Sequence, residues 1–205
     1  MGASESDRRR AVAIAGHTGD VEPARLAVSD VDPTVRDAAL GALERLGELD
    51  DETLATALTD DHVAVRRRAA EIAAKHPAVD LIGALSDDDP RVVEVAAWAC
   101  GEHESDRDEI VDRLIALATT ADEPLVRESA VAALGAIGDV RAVDTIIAGT
   151  SDKPAVRRRA VLALAPFLGD DDTGRRVDAA IDRALEDRDW QVRQAAEDLR
   201  RVTGS

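Results

Sequence analysis

Residues Glu123–Gly138 read EPLVRESAVAALGAIG, and the chain restates this phrase along its length. DPTVRDAALGALERLG begins at Asp32, DHVAVRRRAAEIAAKH at Asp61, DPRVVEVAAWACGEH at Asp89, KPAVRRRAVLALAPFLG at Lys153 and DWQVRQAAEDLRRVTG at Asp189. The anchors are Val35, Val65, Val92, Val126, Val156 and Val192, spaced by 30, 27, 34, 30 and 36 residues. DRRRAVAIAG, from Asp7, fits as one more copy without its first half, with Asp7 in the valine slot. A period near 30 over all 205 residues is the mark of stacked supersecondary units.

Each copy reads as a helix. Pro33, Pro90, Pro124 and Pro154 stand two residues before the valine, where proline suits a first helical turn, and an acid before it can cap free N–H groups. Counting from the valine, position +4 is alanine in every full copy: Ala39, Ala69, Ala96, Ala130, Ala160 and Ala196. Positions +7 and +8 are mostly apolar, which is helical spacing, and the invariant small residue implies a close helix–helix approach. Gly47, Gly138 and Gly169 close several of these helices. Between the copies lie shorter amphipathic segments: VEPARLAVSD, DETLATALTD, AVDLIGALSD, DEIVDRLIALATT, RAVDTIIAGT and RRVDAAIDRALED. The unit is thus helix A, turn, helix B. One hairpin cannot bury its own apolar face, so the pairs must stack. The expected fold is an all-α, right-handed solenoid of antiparallel helix pairs forming one domain over 1–205. It has a half-repeat at 1–19 and repeats at about 20–48, 49–77, 78–104, 105–138, 139–169 and 170–205.

The D-x-P-x-V-R-x-x-A-x-x-A-L pattern resembles the short HEAT repeats, the kind also found in phycobilin lyases, and the resemblance covers essentially the whole chain. It implies a role for the +1 column, Arg8, Arg36, Arg66, Arg127, Arg157 and Arg193, which only Val93 breaks. In such repeats this arginine pairs with an acid near an A–B turn; Asp30, Asp60, Asp87, Asp122 and Asp152 are candidates. The repetition fits a structural ladder, because a ligand site needs one arrangement whereas a fold needs one per repeat.

Acids outnumber bases 42 to 26, a net charge of −16, and the only lysines are Lys75 and Lys153. That balance resembles a haloarchaeal cytosolic protein; an Arg- and Ala-rich protein of a GC-rich genome is the alternative. The single Cys100 excludes an internal disulfide framework and a cysteine-ligated zinc site. No apolar run is long enough for a membrane span, and a cytoplasmic monomer is expected.

Positions +2, +6 and +9 are expected on the outward, concave face of the B helices. There Trp98, Ala132 and Leu162 form an apolar strip, with Glu94 and Glu128 beside it and Arg67 and Arg158 at its ends. This constellation suits a protein partner, with Trp98 as aromatic anchor. The reading is a non-enzymatic scaffold or adaptor, for example in archaeal taxis, with no cofactor and no metal. The alternatives are a bilin-lyase-like or other HEAT-repeat enzyme or its regulatory subunit, and a DNA binder of the HEAT-like alkylation-repair type. Nucleic acid is not expected, because the +2 column mixes arginine with acid and aromatic residues are scarce. The net charge makes its own prediction. Screening of self-repulsion should raise the thermal midpoint from low to molar KCl, and a flat or falling midpoint in melting curves would remove the halophile reading.

Overall fold

The structure is a computed structural model that describes residues 4–104 and 107–203. These form twelve α-helices with no strand among them. The chain divides into two compact units, Met1–Ala84 and Leu85–Ser205. The first holds α1 (Glu5–Thr18), α2 (Val21–Ala27), α3 (Pro33–Leu46), α4 (Asp51–Ala57) and α5 (Val63–Ala73). The second holds α6 (Pro90–Glu102), α7 (Asp108–Thr120), α8 (Pro124–Ile137), α9 (Val143–Gly149), α10 (Pro154–Ala163), α11 (Gly174–Leu185) and α12 (Trp190–Thr203). In the second unit the B helices α6, α8, α10 and α12 lie side by side, and the A helices α7, α9 and α11 form a layer behind them. In the first, α1, α3 and α5 make the B layer, with α2 packed on α1 and α3 and α4 packed on α5. Within each unit this is the all-α solenoid class that the period implies. No helix among the described residues is long and apolar enough to cross a membrane.

Local chemistry sets the helix ends. Pro33, Pro90, Pro124 and Pro154 open α3, α6, α8 and α10. Asp32 and Asp89 cap their helices, accepting from the Thr34 and Arg91 N–H groups. Glu123, expected to cap α8, makes no such side-chain bond. Gly47 and Gly138 stop α3 and α8 in the left-handed conformation, at φ 69° and 73°.

The six anchor valines are buried, and the six +4 alanines are wholly buried. The contact that keeps the +4 position small is visible at α9, where a Cβ on Gly149 would stand 3.1 Å from the Ala160 Cβ. Ala11, the +4 residue of the half-repeat, is exposed, since no A helix among the described residues backs it.

Two expectations are corrected. The segment 78–86 was expected to hold an A helix but forms turns and one 3-10 turn, Ala84–Ser86. The reason is length: this repeat has only 27 residues between valines, and Pro77, Asp80 and Gly83 favour turns. Position +9 is not outward where it is glycine. A Cβ on Gly101 would stand 2.9 Å from the Ala133 Cα, and one on Gly135 2.6 Å from the Ala163 Cα. Adjacent B helices therefore meet backbone to backbone at a glycine–alanine contact. The expected repeat boundary at 105 lies outside the described residues.

Gly135→Ala is thus expected to destabilise the fold, although alanine alone is worth about 1 kcal/mol in helix propensity. Gly83→Ala, with nothing within 4 Å of its Cβ, should change stability by less than about 1 kcal/mol. Denaturant titration of both variants checks the contrast. Stabilisation by Gly135→Ala would refute the packing argument.

Candidate functional site

The +1 arginines are built into the turns. The Arg36 Nε and Nη2 donate to both carboxylate oxygens of Asp60 at 2.7 and 2.6 Å, while Nη1 donates back to the Asp30 carbonyl at 2.9 Å. Arg127 binds Asp152 in the same bidentate way and the Ala121 carbonyl behind it. Arg157 binds Asp187 and the Asp152 carbonyl, and Arg8 binds Asp30. Arg66 and Arg193 donate to the carbonyls of Asp60 and Asp187. Each carboxylate also accepts a nearby backbone N–H, as Asp60 does from His62 and Asp187 from Asp189. Hydrogen bonds from Arg8, Arg127 and Arg157 hold Asp30, Asp152 and Asp187 below the ordinary carboxylate range. Burial works against the charged form of Asp60, but the Arg36 and His62 bonds outweigh it and its pKa is lowered as well. Asp122 departs from the expected role: the slot six residues before the ladder arginine, filled by Asp30, Asp60 and Asp187 in their turns, is Ala121 here. Position +1 of the preceding B helix is Val93, the Asp122 carboxylate is exposed, and only its carbonyl meets a ladder arginine, Arg127. A cavity of about 340 Å³ bordered by Asp87, Val93, Asp122 and Val126 occupies that missing rung.

The second and third arginines of the triplets behave differently from each other, which the sequence reading did not foresee. Arg67 is exposed on the first unit, and Arg158 is half-buried. The third arginines of α5 and α10, Arg68 and Arg159, reach back to the preceding B helix. A Cβ on Gly41 would stand 2.7 Å from the Arg68 Nη2, so the end of that side chain lies against this buried +6 glycine of α3. The Arg159 Nε lies 3.7 Å from the Glu128 Oε1 and makes no hydrogen bond.

On the B face of the second unit, α6 and α8 enclose a groove of about 460 Å³. Glu94, Trp98 and Glu102 line one wall; Leu125, Glu128, Ser129, Ala132 and Ala136 line the other, and Arg159 stands at the α10 side. A second groove, between α8 and α10, shares Ala132, Ala136 and Arg159 and carries Leu162. The structure therefore brings Trp98, Glu94, Glu128, Ala132 and Leu162 onto one surface. Arg158 lines neither groove, and Arg67 belongs to the other unit. Trp98 is 41 % exposed, Leu125 64 % and Leu162 37 %. Leu125 was missed; its only signal is an apolar residue just before an anchor valine. The Ser129 hydroxyl donates to Glu94 at 3.2 Å. Among the described residues no cluster of His, Cys, Asp and Glu could hold a metal ion.

Residues 78–165 match the family model of HEAT repeats. That span carries α6, α8 and α10, and hence both grooves. No curated protein matches the chain. Among solved structures the chain is similar to an engineered protein from the Northeast Structural Genomics Consortium, at 20 % identity and TM-score 0.66, over 88 % of this chain and 96 % of that one. It is also similar to a designed armadillo repeat protein in complex with the peptide (KR)4, at 16 % identity and TM-score 0.50, over 93 % and 84 %. These likenesses show a helical-repeat fold over nearly the full chain.

Three outcomes follow from the ladder. Arg157, whose side chain is 6 % exposed, should not tolerate lysine; one ammonium cannot serve Asp187 and the Asp152 carbonyl together, and Arg157→Lys should cost about 2 kcal/mol by denaturant titration. Val93→Arg combined with Ala121→Asp should supply both partners of the missing rung and raise the thermal midpoint. The lowered carboxylates supply stability that is present above their unfolded value, near 3.8, and is lost as pH falls through the folded value. Asp187→Asn should therefore shrink the stability difference between pH 7 and pH 3.

Proposed function

We propose that the protein is a non-enzymatic scaffold that captures another protein through the B face of its second unit. The observation that carries this is the exposed Trp98 ring in a groove whose opposite wall is Leu125, Ala132 and Ala136. Packing does not demand it. The other occupants of the +6 column are Ala13, Gly41, Glu71, Ala132, Leu162 and Asp198, so stacking tolerates almost any size there. A large apolar ring left in solvent within a groove is the signature of an interface anchor. The designed armadillo protein, which resembles this chain in fold, is in complex with a peptide, and that supports the same use of a helical-repeat face. A nucleic-acid reading is disfavoured by Glu94, Glu102 and Glu128, since a phosphate backbone would meet three carboxylates there. The finer reading, a cytoplasmic adaptor such as a taxis component in a halophile, draws on the acidic composition and the short-repeat resemblance.

The test is affinity capture from source-cell extract with wild type and Trp98→Ala side by side. The variant should keep the wild-type helical spectrum and lose the captured protein, with affinity weakened by about 2 kcal/mol or more. Unfolding of the variant, with unchanged capture per folded molecule, would make Trp98 a core residue and overturn the proposal.

A further inference from the structure

Glu94, Trp98 and Glu102 stand four residues apart on α6 and all face the same groove. Neighbours at that spacing have Cβ atoms about 5–6 Å apart, so the indole is bracketed along the helix by two carboxylates. Among the described residues no cation of the chain pairs with either one; Glu94 has only the Ser129 hydroxyl and Glu102 is exposed. The third acid, Glu128, already has Arg159 near it. The groove thus holds three acids against one base, and the uncompensated pair flanks the aromatic face.

Resting on the reading of this groove as a protein-binding surface, we infer that its occupant is a cationic segment of the partner, with an arginine side chain laid over the Trp98 indole between Glu94 and Glu102. An aliphatic anchor would cover the ring but strip water from both carboxylates without replacing their hydrogen bonds. A guanidinium satisfies both needs. It is planar and weakly hydrated, it stacks on an indole face, and its edge N–H groups reach carboxylates. Leu125, at the far wall, supplies the apolar contact for the neighbouring side chain. Acidic segments are rejected by the same carboxylates.

The probe is a displayed library of random twelve-residue peptides, selected on the full chain and counter-selected on Trp98→Ala. Arginine should be enriched in the Trp98-dependent pool. For a selected peptide, replacing that arginine with its neutral isostere citrulline should weaken binding about tenfold. The double variant Glu94→Gln, Glu102→Gln should lose a similar factor at an unchanged thermal midpoint. A Trp98-dependent pool without cations, or one rich in acids, would overturn this inference while leaving the groove as a binding surface. A library yielding no Trp98-dependent peptide would overturn both.

Discussion

The bidentate arginine–aspartate bond between successive A–B turns is the interaction on which the repeat geometry depends. Arg36 shows its logic. Two guanidinium nitrogens hold the carboxylate of the next turn, and the third holds a carbonyl of its own turn. The carboxylate in turn accepts a backbone N–H and so fixes the turn that presents it. One side chain thereby ties two successive turns together. The net stabilisation of such a half-buried pair is modest, because desolvation of both ions offsets much of their attraction. Its larger effect is geometric: a planar fork matched to a planar carboxylate allows one offset between turns and few others.

With the turns fixed, the B helices approach as closely as their side chains permit, and the glycine–alanine contacts at Gly101–Ala133 and Gly135–Ala163 bring backbones together. That closeness shapes the groove. Its floor is small because the helices touch there, so any large side chain one position aside stands proud of the surface. Trp98 and Leu162 stand exposed there, while Val95 and Val161 on the same helices are buried.

The sequence made the solenoid legible because its constraints recur. The valine and +4 alanine columns are each set by one contact that every repeat must make, so the period exposes them. Features that occur once or twice were less legible. The 27-residue spacing before Val92 was visible, but the loss of the A helix at 78–86 follows only when turn residues are weighed against the shortened span. Arg158 and Arg159 look alike in a triplet. One helical step separates an arginine that lines no groove from one that reaches back to Glu128, and helical projection about a single axis carries no information on the neighbouring helix. Glu94, Trp98 and Ala132 were found because their columns were already in register; Leu125 and Glu102 lie outside those columns.

The same physics explains why the +1 column of so acidic a chain holds arginine and not lysine. A lysine at +1 could neutralise an aspartate but could not also bind the carbonyl behind it, so the turn would lose its second anchor. At +3 of α5 the Arg68 guanidinium reaches across to Gly41 on α3. The ladder arginines are therefore spent turn by turn on the fold, and acids without a ladder partner stand on the surface. On most of that surface they stay solvated. Where two of them bracket an exposed indole on α6, the excess that the ladder leaves behind becomes a directed field, and a structural economy of arginine turns into a preference about what can bind.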